Sequence, residues 1–326
     1  MRKQCILGTI ATVIFLGSVS ARSIDIWLAP PDPITQHPLE RKGVFENADA
    51  WHHLSRRLST FMIPVNFLLI SPPDEMREQL RLLRSLKIKL SVAMPVLPAD
   101  KKVCGDGVEG MIWPGEAAQA AHKLKALGVS VDYFAFDLPL TNGHLSKAKN
   151  ACQFSVEETA KRLGLTVHDL RSEYPRARFI DMEVPTGIES KVWLDELSQW
   201  LAAFKQSAGE NLYGMTMDIW WKFQWQGVAK ETAQLLASRG IRAGVFVNSS
   251  EGPTTDPSDW ILHAKQNICE VRSTGIKVDY YVIANWLNMR VHNIPESDPQ
   301  SLTALGNWVA SAGSCEHTKS TRVPRT

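Results

Sequence analysis

The sequence predicts an α/β protein folded as a single (β/α)8 barrel, the TIM-barrel architecture, with elaborated loops after its strands. Three observations predict it. Eight short runs rich in β-branched and aromatic residues alternate with helical patterns, which implies a parallel sheet covered by helices. Eight such units within about 300 residues match the usual size of a closed barrel. The 326-residue chain shows no Gly/Ser linker or change of composition that would mark a second domain. A doubly wound open sheet is the competing arrangement.

The first segment reads as an address. Arg2 and Lys3 precede an apolar stretch over Ile6–Leu16, too short for a ~30 Å hydrocarbon layer. Val19-Ser20-Ala21 then offers small residues for cleavage. Residues 1–21 are therefore expected to be a secretory signal peptide, 22–315 the barrel, and 316–326 a disordered C-terminal tail. The rest of the chain has no apolar run long enough for a membrane span, and none is expected.

Strands are expected at Ser23–Leu28, Pro64–Ile70, Lys89–Pro95, Val131–Asp137, Arg178–Val184, Tyr213–Ile219, Arg242–Asn248 and Val278–Trp286. A first helix is expected at Asn47–Leu58. Further helices are expected at Asp74–Leu86, Glu116–Leu127, Val156–Tyr174, Lys191–Ser207, Gly227–Arg239, Pro257–Thr274 and Pro299–Ala312. Glu116–Leu127 consists mostly of strong helix formers and stops at Gly128; Leu235–Arg239 stops the same way at Gly240.

Hydrophobic residues make up 44% and charged residues 21%, which excludes a disordered chain. Lys and Arg number 36 against 34 Asp and Glu, so there is no basic footprint for nucleic acid. Of five cysteines, Cys5 falls in the signal segment; Cys104, Cys152, Cys269 and Cys315 remain. An even number fits two disulfides in an oxidising compartment, and hence a secreted or periplasmic protein. Cys104 and Cys152 lie in two elaborated loops, Pro98–Pro114 and Leu138–Phe154, and a bond between them would staple those loops. Cys269 would then pair with Cys315. Gly105–Gly110 formally matches a dinucleotide loop, but follows no strand directly and carries two acids where a pyrophosphate would sit. His52 and His53 are adjacent rather than one helical turn apart, a poor metal pair. Neither cofactor nor metal is expected.

Barrels place their chemistry at the C-terminal strand ends, and three consecutive strands carry acids there. Asp137 closes the fourth strand, Glu183 the fifth and Asp218 the sixth. Carboxylates in different environments can divide the roles of proton donor and of nucleophile or base. These three are the expected catalytic residues, with Asp137 as nucleophile and Asp218 as acid/base, or Glu183 and Asp137 as the pair. Aromatic faces suit the C–H faces of sugar rings. Trp113, Trp220, Trp221 and Trp286, with Glu109, His144 and Asn248, are accordingly the expected substrate contacts. Trp51, Trp193, Trp200, Trp260 and Trp308 lie in helical patterns and are expected in the core.

The strings Cys104-Gly-Asp-Gly-Val-Glu-Gly, Phe136-Asp-Leu-Pro-Leu with Gly143-His144, Asp181-Met-Glu183 and Ile294-Pro-Glu-Ser-Asp-Pro resemble a group of poorly characterised secreted bacterial proteins with glycoside-hydrolase-like barrels. The resemblance covers most of the mature chain and implies fold and export. In that group the position of Leu138 often reads Glu. A second resemblance, to α-galactosidase-like barrels, implies an acid ending strand four and another ending strand six, matching Asp137 and Asp218. The function expected is glycosidic bond cleavage in an oligo- or polysaccharide by a carboxylate pair. The alternatives are a non-catalytic carbohydrate-binding barrel, suggested by Leu138, and a transglycosylase or polysaccharide-modifying enzyme. The oligomeric state is left open.

Overall fold

The computed structural model describes residues 24–30, 43–249, 255–285 and 291–315. The expected signal peptide, the tail 316–326 and Trp286 lie outside the described residues. Eight parallel strands close into one barrel. They are β1 (Asp25–Ala29), β2 (Leu58–Pro64), β3 (Lys89–Met94), β4 (Tyr133–Asp137), β5 (Arg178–Glu183), β6 (Gly214–Met217), β7 (Arg242–Val247) and β8 (Tyr280–Ala284). β8 pairs with β1 to complete the ring. Helices follow the strands as the sequence predicts, among them α1 (Glu116–Ala126), α2 (Val156–Glu173), α3 (Ser190–Ala208), α4 (Gln226–Ser238), α5 (Pro257–Ser273) and α6 (Leu302–Ala310).

Two expectations are corrected. The second strand is Leu58–Pro64, and Val65–Ile70 is a short helix. A brief apolar run has no period that separates strand from helix. Pro64, with no N–H to pair, ends the strand and stands at the N-terminal boundary of that helix. The expected helix at Asn47–Leu58 shrinks to a 3-10 turn, Ala48–Trp51, and a single α turn, His52–Ser55, because Leu58 already pairs with Ile26.

The interior is filled by side chains in layers. Pairing registers carry one inward-facing set around the ring: Ala135 lies beside Ile180, Asp137 beside Met182, Thr216 beside Gly244, and Phe246 beside Val282. Low in the barrel, Trp27 stacks on Tyr280 at 4.8 Å and meets Tyr133 at 5.0 Å. Thr216 Oγ1 and Tyr280 Oη share a hydrogen bond at 2.9 Å. Outside the strands, Trp51, Trp193, Trp200 and Trp260 are fully buried in the helical layer. Both expected disulfides form: Cys104–Cys152, with Cα atoms 4.9 Å apart, and Cys269–Cys315 at 5.6 Å. No helix among the described residues is long and apolar enough to cross a membrane.

Candidate active site

A cavity of 560 Å³ opens at the C-terminal end of the barrel, where (β/α)8 proteins hold their sites. Its floor is the inward layer Ala29, Ala93, Met182 and Phe246. Two alanines in that ring leave the space that larger side chains fill lower down. Pro64, Asp137 and Asp218 stand above the floor, with Asn66, Glu109, Leu138, Trp220 and Asn285 at the mouth. Met182 pairs with Asp137 on one side and with Thr216 on the other. A closed eight-stranded barrel advances about one residue per strand at constant height. Two strands on from Asp137, that stagger reaches Asp218. The two acids therefore occupy one layer and face the axis from alternate strands.

Each acid is held by backbone. Asp137 is the last residue of β4. Leu138 then takes a left-handed conformation, φ +51°, uncommon for a side chain of this kind. Its N–H donates to the Met182 carbonyl at 3.1 Å and its carbonyl accepts from Asn142 N–H at 2.8 Å. The chain thus turns sharply away and leaves the Asp137 side chain over the cavity. Asp218 is anchored by its N–H to the Glu183 carbonyl at 2.8 Å. Glu109 reaches the mouth from the disulfide-stapled loop. Gly110 lies against the Asp137 carbonyl, and Asn142 Nδ2 donates to the Glu109 carbonyl at 3.1 Å.

Electrostatics separate these groups from ordinary surface acids. Burial raises the pKa of Asp137 to about 7, helped by the charges of Glu109, Glu183 and Asp218. Burial also raises Asp218 to about 7; the Asn248 amide, hydrogen bonded to its carboxyl, pulls the other way. Asn248 is itself fixed. Its Oδ1 accepts from Trp221 Nε1 at 2.5 Å, and its backbone carbonyl from Asn267 Nδ2 at 2.9 Å. With Oδ1 turned to the indole, the amide nitrogen is the atom left for Asp218.

The other expected residues divide. Glu109 and Trp220 join the two aspartates at the cavity. Glu183 does not. The period of two along β5 turns Met182 inward and Glu183 outward. Its Oε1 accepts from Leu140 N–H at 2.6 Å, and its Oε2 from Thr141 N–H at 2.9 Å and Thr141 Oγ1 at 2.5 Å. It secures the turn after β4. Burial leads in raising its pKa to about 7, against those hydrogen bonds. Asp181 faces the same way, accepts from Trp200 Nε1 at 2.8 Å, and is held well above the carboxylate range by burial. Trp221 is buried and contributes through Asn248 alone. Trp113 is half-exposed and stands outside the cavity wall. His144 is also elsewhere: Nδ1 faces the Phe154 carbonyl at 2.6 Å and Nε2 the Glu196 carboxylate at 3.3 Å. Asn66 at the mouth is a residue that the sequence reading missed, because it lay inside the misassigned second strand.

His52, His53 and Glu296 bring potential metal ligands within 4.8 Å of one another, away from the cavity. Both Glu296 oxygens already accept backbone N–H groups, from His53 and Leu54 at 2.9 Å each. The three cavity acids do not meet that spacing.

No family model matches the chain, and no curated protein matches it either. Solved structures do. A psychrophilic glycoside hydrolase family 10 endo-β-1,4-xylanase is 10% identical, with 87% of this chain and 96% of that chain covered at a TM-score of 0.51. A GH10 endoxylanase retrieved from sugarcane soil metagenome is 12% identical, covering 82% and 85%, with a TM-score of 0.49. At such identity the likeness establishes the architecture: this chain has the (β/α)8 fold found in glycoside hydrolases.

Proposed function

We propose that this protein is an exported glycosidase that uses Asp137 as proton donor and Asp218 as the ionised partner. One observation carries the reading: two inward carboxyls in one layer of the barrel mouth, both held near neutral pKa. The roles follow from their surroundings. Three negative neighbours and no hydrogen bond favour the protonated form of Asp137; Asp218 has one such neighbour, Glu109, and the Asn248 amide to favour its anion. In the first of the two assignments expected from sequence, these two roles are the other way round. A protonated acid can deliver a proton to the leaving oxygen. The anion acts as nucleophile or as base for water, and stabilises the oxocarbenium-like centre. Trp220, 46% exposed at the rim, offers a flat face for a sugar ring. Two disulfides support export.

The test is a screen of oligo- and polysaccharides with product analysis by mass spectrometry, comparing wild type with Asp137→Asn and Asp218→Asn. Each substitution is expected to cut turnover by roughly 10²–10⁴-fold. Full turnover in both variants would end the reading. A binding protein without turnover is the second reading, favoured by Leu138 in the cavity wall. Binding heat with no product from any glycan would establish it.

A further inference from the structure

Among the described residues, the charge around the cavity is one-sided. Glu109, Asp137 and Asp218 line it, and no Lys, Arg or His does so among the described residues. The whole chain carries slightly more basic than acidic residues, so this imbalance is local. Asp137 makes no side-chain hydrogen bond or ion pair with any described residue; burial first, and then the charges of its neighbours, act on it. The rest of the described lining is uncharged: apolar side chains such as Met62, Pro64 and Met182, with Asn66 and Asn285.

An ammonium group leaves water only where counter-charges and hydrogen-bond acceptors replace its hydration. A carboxylate or sulfate on a ligand would instead meet three acids in a partly dry space, where like charges repel more strongly than in water. We infer that the cavity takes a positively charged ligand, and that the substrate of the proposed glycosidase is a glycan bearing hexosamine units with free amines. This inference rests on the glycosidase reading and adds the substrate class. N-acetylation removes the charge and adds bulk, so it should abolish the advantage. Glu109, Asp137 and Asp218 do not all come within 4.8 Å of one another. A pendant amine needs only one or two of them at a time.

Binding should also move protons. Asp218, raised to about 7, gives up its proton more readily when a cation arrives beside it, which completes the ionised partner of the proposed reaction while Asp137 keeps its proton. Calorimetry on the full chain at pH 7, in buffers of different ionisation enthalpy, reads affinity and proton release together. The probes are glucosamine and galactosamine oligosaccharides, their N-acetylated forms, and uronate oligosaccharides of equal length. At least one free-amine oligosaccharide is expected to bind ten-fold or more tightly than its N-acetylated form, with protons released; uronates should not bind. Asp218→Asn should lower that preference to under three-fold. Glu109→Gln, in a surface loop, serves the same purpose if Asp218→Asn does not fold. Equal or tighter binding of the N-acetylated or uronate probes overturns the inference, as does an unchanged preference in the variants. Cleavage of neutral glycans with no amine preference ends this inference and leaves the glycosidase reading standing. Amine-selective binding with no product from any glycan does the reverse.

Discussion

Gly110 rests on the backbone of Asp137 so closely that a Cβ built on it would lie 2.0 Å from the Asp137 carbonyl oxygen. Nothing larger than hydrogen fits there, and φ at Gly110 is +78°. The contact joins the loop that carries Glu109 to the strand that carries Asp137.

Gly110→Ala is therefore expected to push the loop off β4 and withdraw Glu109 from the cavity. We expect a stability loss of about 1–3 kcal/mol. Displacing a positioned group should lower kcat/KM by roughly 10–100-fold. Gly107→Ala is the control. It shares the positive φ, +68°, but its added Cβ meets open space, so it should cost about 1 kcal/mol and leave activity near wild type. Melting curves and steady-state kinetics of both variants check the contrast; equal behaviour of the two would dissociate the contact from function.

The cavity acids should make the protein less stable as pH rises. Asp137 and Asp218 have ordinary carboxylate pKa values when unfolded and about 7 when folded. Between those values the folded state holds protons that the unfolded chain has released, so stability is full below about pH 4 and is lost as pH climbs through 7. Asp137→Asn removes one such group. The displacement from the ordinary value caps the gain at about 4 kcal/mol; access to cavity water reduces it, and we expect about 1–2 kcal/mol. The variant should melt higher than wild type at pH 8 and equally at pH 4, while its turnover collapses. A variant no more stable at pH 8 than at pH 4, relative to wild type, would show that the acid carries no burial penalty.

The barrel was legible in the sequence because each strand but one is a β-branched or aromatic run between helix-forming stretches. β2 is the exception because Val65–Ile70, apolar apart from Asn66, is too short to show a period, and only the tertiary fold decides between strand and helix there. Asp137 and Asp218 were legible as polar ends of apolar strands. Which way each faces was not: Asp181 and Glu183 carry the same local pattern as Asp137, yet point at the helices. The inward or outward sense of a strand is set by its register with its neighbours, and that is invisible in one strand's own residues. Asn248 was identified, but as a sugar contact. Its hold on Asp218 depends on an indole 27 positions away, a pairing that only the folded chain reveals.

Glu183→Gln tests the outward sense directly. The carboxyl oxygens accept three hydrogen bonds from Leu140 and Thr141. Glutamine keeps one acceptor and turns an amide N–H₂ towards the remaining donors, leaving a buried N–H without its partner. A stability loss of about 1–3 kcal/mol is expected, and Asp137, which loses the Glu183 charge that helps raise it, should titrate lower in the pH profile of whatever activity remains. Denaturant unfolding and kcat/KM against pH would check both parts. An intact fold with turnover lost by orders of magnitude would return Glu183 to the catalytic set.

If Asp137 must be protonated and Asp218 ionised, kcat/KM should form a narrow bell near pH 7. Trp221 should set one side of it. Its indole N–H holds Asn248 Oδ1, which presents the amide nitrogen to Asp218 and favours the anion. In Trp221→Phe the amide can rotate, and the Asp218 anion loses a donor. The acidic limb, which reports ionisation of Asp218, should then move to higher pH by about 1 unit, the equivalent of a hydrogen bond to a charged group. The alkaline limb, set by Asp137, should stay. Trp225→Phe separates this from a packing defect. Trp225 meets Trp221 edge to face at 5.2 Å, is equally buried, and its Nε1 has no hydrogen-bond partner among the described residues. It should cost comparable stability and move neither limb. An acidic limb that shifts equally in both variants, or in neither, would remove Trp221 and Asn248 from the control of Asp218.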